Sequence, residues 1–243
     1  YKADKLLYEV GSEQKLHFQQ LFKILELMGY AWAKECVHIT HGLYLDQERK
    51  KLATRKGKTV FMEDIIAEAI DLAKRIIQEK NPKLKNKDKV AEAVGVGAII
   101  FNDLSNDRNN DIIFDMDKFL SFEGETGPYL QYTHARLCSI LRKAKPPKKI
   151  KEYDVYGKEE HQIIKRLGQF PYTLQETLQH YKPSLLTRYL LDLAQITNTY
   201  YGTHPILKAE EPVRSERLML ISTIQQVLQQ GLLLLNMKPL KEM

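Results

Sequence analysis

The sequence predicts a mainly α-helical chain, with a partial α/β segment at its start followed by an antiparallel α-helical bundle. Three observations predict it. Within the first 62 residues an apolar run closed by glycine gives way to helical spacing and then to further β-prone runs. From Glu63 onward, apolar residues recur every three or four positions for most of the chain. The breaks between these stretches carry proline, glycine and asparagine, which stop helices.

Lys5 to Gly11 reads as a buried strand entering a turn. Phe18, Leu21, Phe22, Leu25 and Met28 then share a helical face, with Gly29 as its stop. Cys36–Thr40, Leu43–Leu45 and Thr59–Met62 are three further strand candidates, and the strand–helix–strand order predicts part of an α/β layer. Ile66, Ala69, Ile70, Ala73 and Ile77 form the next helical face, ended by Asn81-Pro82. Val90, Val94, Ala98 and Phe101 form another. That helix carries Gly95 and Gly97, each costing up to ~1 kcal/mol against alanine, so a close helix contact or a ligand-facing backbone is expected there. Ser105–Asp111 and Glu123–Pro128 read as loops, the second leading into a helix capped at Thr126 or Gly127 ahead of Pro128. Lys145–Lys149 is a stiff basic connector. The last two long faces run Leu186, Tyr189, Leu190, Leu193, Thr197, Tyr200 and Leu218, Ile221, Gln225, Leu228, Leu232, Leu235. Packing these faces together gives the bundle from Thr126 to the end.

Hydrophobic residues at 43% and charged residues at 28% place the 243-residue chain among folded proteins. Cys36 and Cys138 stand far apart and outside any CxxC pair, so neither a disulfide framework nor a zinc knuckle is expected. A cytoplasmic location fits. The longest apolar run, Leu232–Leu235, falls far short of the ~20 residues of a membrane span, and no membrane partner is expected. The chain opens on Tyr1 with no secretory pattern, and the missing methionine suggests a piece of a longer protein. A net charge of +6 favours phosphate-bearing partners, although charge alone does not distinguish nucleic acid from other anions.

Three constellations bear chemistry. Lys50, Lys51, Arg55, Lys56 and Lys58 crowd a short loop with Gly57, a composition suited to closing on polyphosphate and equally met by a solvated hairpin tip. Gly11–His17 lies where a strand yields to a helix, the usual ligand position in open α/β sheets. Gln14 offers a donor and an acceptor there, and His17 can bond a ribose or phosphate; both are also ordinary first-turn residues. In the helix after Pro128, ~100° per residue puts Tyr129, Tyr132, Arg136, Ser139 and Lys143 on one stripe, away from Leu130, Leu137 and Leu141. Tyrosines beside cations suit unpaired RNA bases and their phosphates, while a second buried face is the competing explanation. His38 and His41 point to opposite faces of their strand with no third ligand, and Asp111, Asp115 and Asp117 lack the pattern of a calcium loop, so no metal site is expected.

Together these segments resemble the class I aminoacyl-tRNA synthetases, specifically the arginyl family. Val10–Phe18 is similar to that family's VGxxQxxHF segment, Lys51–Gly57 to its MSTRKG form of the KMSKS loop, and Leu120–Arg136 to LSFEGxTGPYLQYxHxR. The resemblance continues through Tyr189–Gln195 and Val227–Leu235 to Met243, over essentially the whole chain. It implies ATP-dependent attachment of arginine to tRNA(Arg) through an arginyl-adenylate, with Mg2+ accompanying ATP in the complete enzyme and no cofactor evident in this chain. Lys51, Thr54, Arg55 and Lys56 inherit the pyrophosphate-stabilising loop. Lys51 and His17 are implied at ATP, Gly42 and Leu43 at its adenine through backbone groups, Gln14 at arginine, and Tyr129, Tyr132, Arg136, Tyr201 and Met243 at the anticodon loop. The resemblance divides the chain into 1–62, the end of a Rossmann catalytic domain; 63–125, a helical stem-contacting region; and 126–243, a DALR-type anticodon-binding domain. A monomer is expected.

Two departures stand out. Thr54 replaces the second lysine of KMSKS and Ala53 its serine, with Lys56 the substitute cation. No HIGH-like motif precedes these segments, so the chain is expected to bind tRNA and to be inactive by itself. A noncatalytic tRNA-binding module and a helical protein scaffold are the competing functions.

Overall fold

The computed structural model describes residues 3–46, 48–50, 61–113, 115, 124–149 and 157–243. The KMSKS-like loop, and with it Lys51, Thr54, Arg55 and Lys56, lies outside the described residues, as do residues 120–123 of the LSFEG motif. The chain is mainly helical, with eight α-helices and two small parallel sheets among the described residues. It divides into two compact units, Tyr1–Val60 with Asn106–Asp115, and Phe61–Ser105 with Met116–Met243.

The first unit is built on a strand–helix–strand crossover. Strand β1 (Leu6–Gly11) pairs in parallel with β2 (Cys36–His41), from Leu6 opposite Cys36 to Gly11 opposite His41. Helix α1 (Lys15–Leu27) connects them, because parallel strands require a crossover. Its end is a Schellman motif: Gly29 sits at φ +88, its N–H bonds the Glu26 carbonyl, and the Tyr30 N–H bonds that of Leu25. The expected glycine stop therefore acts by its left-handed backbone. Phe18, the buried residue of α1, packs 5.3 Å from Tyr8, 5.7 Å from Phe22 and 4.4 Å from the His38 ring. His38 also bonds the Val10 carbonyl at 2.9 Å, so it serves packing. One expectation changes here: β1 is not fully buried. Leu6, Tyr8 and Val10 are half-buried, whereas Leu7 is 52% exposed because α1 packs only on the alternate face. Strand β3 (Tyr44–Leu45) pairs in parallel with β4 (Ile112–Ile113).

The second unit opens with helix α2 (Met62–Lys80), capped by Phe61. The expected strand Thr59–Met62 is thus corrected at its end: Met62 is helical, because the acidic pair Glu63 and Asp64 favours a helix start there, while residues 59 and 60 lie outside the described residues. Helix α3 (Lys87–Ser105) packs on α2 through Ala69, Ala73, Ile77, Val90, Val94 and Ala98. A Cβ on Gly95 would stand 2.8 Å from the Ala69 carbonyl carbon, so the two backbones approach as the glycines suggested.

Helix α4 (Gly127–Lys143) begins as expected, with the Thr126 hydroxyl accepting from the Tyr129 N–H and Pro128 in the first turn. Helices α5 (Lys158–Gly168), α6 (Phe170–His180), α7 (Pro183–Thr203) and α8 (Val213–Leu234) complete the unit. The predicted apolar faces of α7 and α8 meet α4 in one core containing Leu130, Leu137, Tyr189, Leu193, Ile221 and Leu228. Burial pushes the Tyr189 hydroxyl up to about 12, against the opposing pull of Arg166; that hydroxyl donates to the Arg166 carbonyl. No helix among the described residues is long and apolar enough to cross a membrane.

Gly95→Ala is expected to destabilise the chain by about 1–3 kcal/mol despite alanine's better helix propensity, because the added methyl meets backbone that cannot rotate away. Denaturant unfolding of the two proteins measures it; equal midpoints would contradict the close contact.

Candidate functional site

The most developed site lies on the second unit, and the residues of α4 divide to build it. Gln131 and His134 turn inward. The buried Gln131 amide donates to the carbonyls of Ala93 and Lys238, each at 3.0 Å. His134 bonds the Leu240 carbonyl through Nδ1 at 2.7 Å and meets the Gln225 amide through Nε2 at 2.8 Å. This pattern assigns a neutral ring, donating from Nδ1 and accepting at Nε2. Burial holds its pKa below the ordinary histidine value of 6.5, with the Leu240 bond opposing and the Lys241 charge assisting. Arg142 adds a bond to the Lys241 carbonyl at 2.8 Å, and Asn81, the cap of α2, donates to the Met243 carbonyl at 3.2 Å. Four side chains thus hold the last six residues, 238–243, against α4 and the end of α2.

The other side of α4 faces a groove of about 570 Å³. Tyr129, Tyr132, Arg136 and Asn198 line one wall, and Ile76, Ile77, Lys80, Asn81 and Met243 complete it. The Arg136 guanidinium lies 4.7 Å from the Tyr132 ring centre and 5.7 Å from that of Tyr201. It donates to the Tyr132 hydroxyl at 3.0 Å and to Asn198 Oδ1 at 3.3 Å. Asn198 in turn donates to the Tyr129 hydroxyl at 2.8 Å and to Thr133 at 3.0 Å. Tyr132 and Tyr201 remain 38% and 40% exposed, whereas Tyr129 is half-buried. The stripe therefore splits, with Tyr129 braced into the helix packing and Tyr132 open to solvent.

Of the predicted residues, Tyr129, Tyr132, Arg136 and Met243 converge on this groove, and Tyr201 joins through Arg136. Sequence reasoning missed Asn198 and Asn81. The signal for Asn198 was a polar residue on α7 three positions before Tyr201; for Asn81 it was read only as a helix stop.

On the first unit, strand register brings the segments bearing Gln14, His17, Gly42 and Leu43 to one edge. Gly11 and His41 are paired at the carboxyl ends of β1 and β2, so the turn Ser12–Gln14, which leads into the start of α1 with His17, and the segment Gly42–Leu43 both leave the sheet there. Gln14 and His17 are exposed. The backbone of 42–43 is already engaged: the Gly42 N–H bonds the Arg108 carbonyl at 2.7 Å, the Leu43 N–H bonds Asp111 Oδ1 at 2.7 Å, the Leu43 carbonyl accepts from Ile112, and the Gly42 carbonyl meets His41 Nδ1. Among the described residues no three His, Cys, Asp or Glu side chains gather as metal ligands.

With this geometry established, comparison with known proteins gives a consistent result. Residues 1–116 match the family described as tRNA synthetases class I (R), catalytic domain, and residues 130–243 match the DALR anticodon binding domain. The chain belongs to the arginyl-tRNA synthetase family. Among relatives of this arginyl family, the arginine–tRNA ligase of Halothermothrix orenii is 44% identical over 245 residues, 100% of this chain and 43% of that protein. Arginine–tRNA ligase 1 of Bacillus thuringiensis is 45% identical over 240 residues, 99% of this chain and 42% of its own length. The Thermus thermophilus arginyl-tRNA synthetase structure superposes with a TM-score of 0.89 at 33% identity, covering 100% of this chain and 42% of that one. The chain therefore spans less than half the length of these family members.

As pH falls through 6.5, the unfolded chain takes up a proton that folded His134 resists. The stability contributed by this buried ring is complete above that value and declines below it. The denaturant midpoint is expected to drop between about pH 7 and pH 5, and His134→Gln is expected to flatten that slope. Parallel pH profiles for the two proteins would refute the assignment.

Proposed function

We propose that this chain is the tRNA-holding part of an arginine–tRNA ligase, the enzyme that joins arginine to tRNA(Arg) through an ATP-dependent arginyl-adenylate. The convergence of Tyr129, Tyr132, Arg136, Asn198 and Met243 on one groove carries the reading. An unpaired anticodon base has a flat apolar face and polar edges. The exposed Tyr132 ring supplies a stacking surface, and Ile76, Ile77 and Met243 supply apolar contact. Arg136, Asn198 and Asn81 offer donors and acceptors to the base edges, and Tyr201 extends the aromatic surface beyond Arg136.

In this reading residues 126–243 form an antiparallel anticodon-binding bundle, 63–125 a stem-contacting region, and 1–62 the end of a Rossmann catalytic domain. Gln14 approaches arginine and His17 approaches ATP at the carboxyl edge of β1 and β2. Gly42 and Leu43 meet adenine chiefly by shape, since their backbone groups already have partners. In adenylate formation the arginine carboxylate attacks the α-phosphorus of ATP and pyrophosphate departs. Lys51, Thr54, Arg55 and Lys56 oppose the charge that builds on the leaving group. Magnesium would accompany the triphosphate in the complete enzyme. A monomeric cytoplasmic protein fits this reading.

Tyr132→Ala and Arg136→Ala are each expected to weaken binding of an RNA hairpin with an arginine anticodon loop by ~1–3 kcal/mol, read by fluorescence anisotropy, with circular dichroism to verify folding. Unchanged affinity in both variants would remove this groove from the RNA interface. In the complete enzyme, Lys51→Ala is expected to slow pyrophosphate exchange while leaving tRNA affinity nearly intact. The reverse pattern would take the loop out of adenylate formation and favour a noncatalytic tRNA-binding role.

A further inference from the structure

A second groove, of about 700 Å³, adjoins the first along Tyr132 and Arg136. The two grooves share Asn81, Tyr132, Arg136 and Met243, so a strand seated in one continues into the other. Their linings differ in kind. The first presents isoleucines, tyrosines and a methionine, whereas the second is bordered by Lys83, Lys85, Ser139, Arg142 and Glu242. Lys83 and Lys85 are exposed on the turn between α2 and α3, which Asn86 closes at φ +57. Their ammonium groups stand on flexible stems, suited to following a charged backbone and poorly suited to reading a base edge.

We infer that the second groove is a phosphate track for the RNA strand flanking the base held by Tyr132. The inference rests on the proposed anticodon reading of the first groove. Charge complementarity argues for it: four cations, Lys83, Lys85, Arg136 and Arg142, border a groove whose one acidic lining residue is Glu242. Glu242 lies 3.6 Å from Arg142, and this exposed ion pair places a carboxylate where a phosphate would bind. Arg142 also donates to the Lys241 carbonyl, which keeps its guanidinium at the groove rim after Glu242 yields to the incoming anion. The grooves thus divide the work, the first discriminating bases and the second adding sequence-independent attraction.

The test measures binding of the full chain to an RNA hairpin with an arginine anticodon loop, and to the same hairpin with one anticodon base replaced, over a range of salt concentrations. Lys83→Gln combined with Lys85→Gln is expected to flatten the slope of log K on log salt by about 1.4, about 0.7 per lost phosphate contact. Both hairpins are expected to lose affinity by the same factor. Glu242→Gln is expected to tighten binding of both at low salt by about two- to threefold, since it removes a competitor for Arg142. An unchanged salt slope in the double lysine variant, or a loss confined to the matched hairpin, would overturn the track. Weaker binding on Glu242→Gln would also overturn it. Polyglutamate competing as well as the hairpin at equal charge would instead assign the groove to an acidic protein. Failure of the anticodon reading has its own signature: Tyr132→Ala leaves discrimination intact while the lysine variant still flattens the slope.

Discussion

The docking of residues 238–243 along α4 is the constraint on which the proposed RNA surface depends. Gln131, His134 and Arg142 lie on that helix, and each bonds a backbone carbonyl of the closing segment. Such bonds fix the path of the main chain whatever side chains it carries. Leu240 adds burial against the α2–α3 core, and Asn81 ties the Met243 carbonyl to the end of α2. The energy is modest per bond, on the order of 1 kcal/mol, but a buried amide or imidazole left without a partner costs about 1–3 kcal/mol.

A second constraint sets the width of the groove. Its floor comes from α2 through Ile76, Ile77 and Lys80, and its wall from α4 through Tyr129, Tyr132 and Arg136. Helix α3 packs against both. Gly95 lets α3 approach the α2 backbone, and Gly97 leaves room for the Gln131 amide, whose atoms would stand 3.0 Å from an added Cβ. Each glycine lowers helix propensity by up to ~1 kcal/mol, and close packing offsets that cost. Larger residues would push α2 and α4 apart and separate the two sides of the groove.

Much of this was legible in the sequence because helical periodicity fixes angle. The faces of α7 and α8, the Thr126 cap and the Gly29 stop follow from local rules that the tertiary structure does not override. Angle alone does not supply neighbours. The stripe of Tyr129, Tyr132 and Arg136 was predictable, but its division was not: Asn198 arrives from a helix 69 positions beyond Tyr129 and bonds both Tyr129 and Arg136, while Tyr132 stays exposed. The three-residue offset between Asn198 and Tyr201 was visible, yet nothing local said that this face of α7 meets α4. The partial exposure of β1 was hidden for the same reason, since a strand's sequence does not disclose which face acquires a helix. In the first unit, the strand ends were legible from the glycine and the helix start. The engagement of Gly42 and Leu43 by residues 108–112 is long-range and has no sequence signal.

Arg136 shows what the braced arrangement contributes to recognition. A free arginine side chain loses about 1.5–2 kcal/mol of rotamer entropy when a ligand orders it. Here folding has already met that cost, since the guanidinium is bonded to Tyr132 and Asn198 and flanked by two aromatic rings. Two of its five N–H donors serve these bonds, and the planar group keeps the others in fixed directions. Under the proposed reading, a base entering beside Tyr132 would meet a donor array already in place, and binding would retain energy otherwise spent on ordering. Under that reading the same bracing would make the site selective, because an arginine held by its neighbours cannot swing to rescue a base whose edge presents a donor where an acceptor is required.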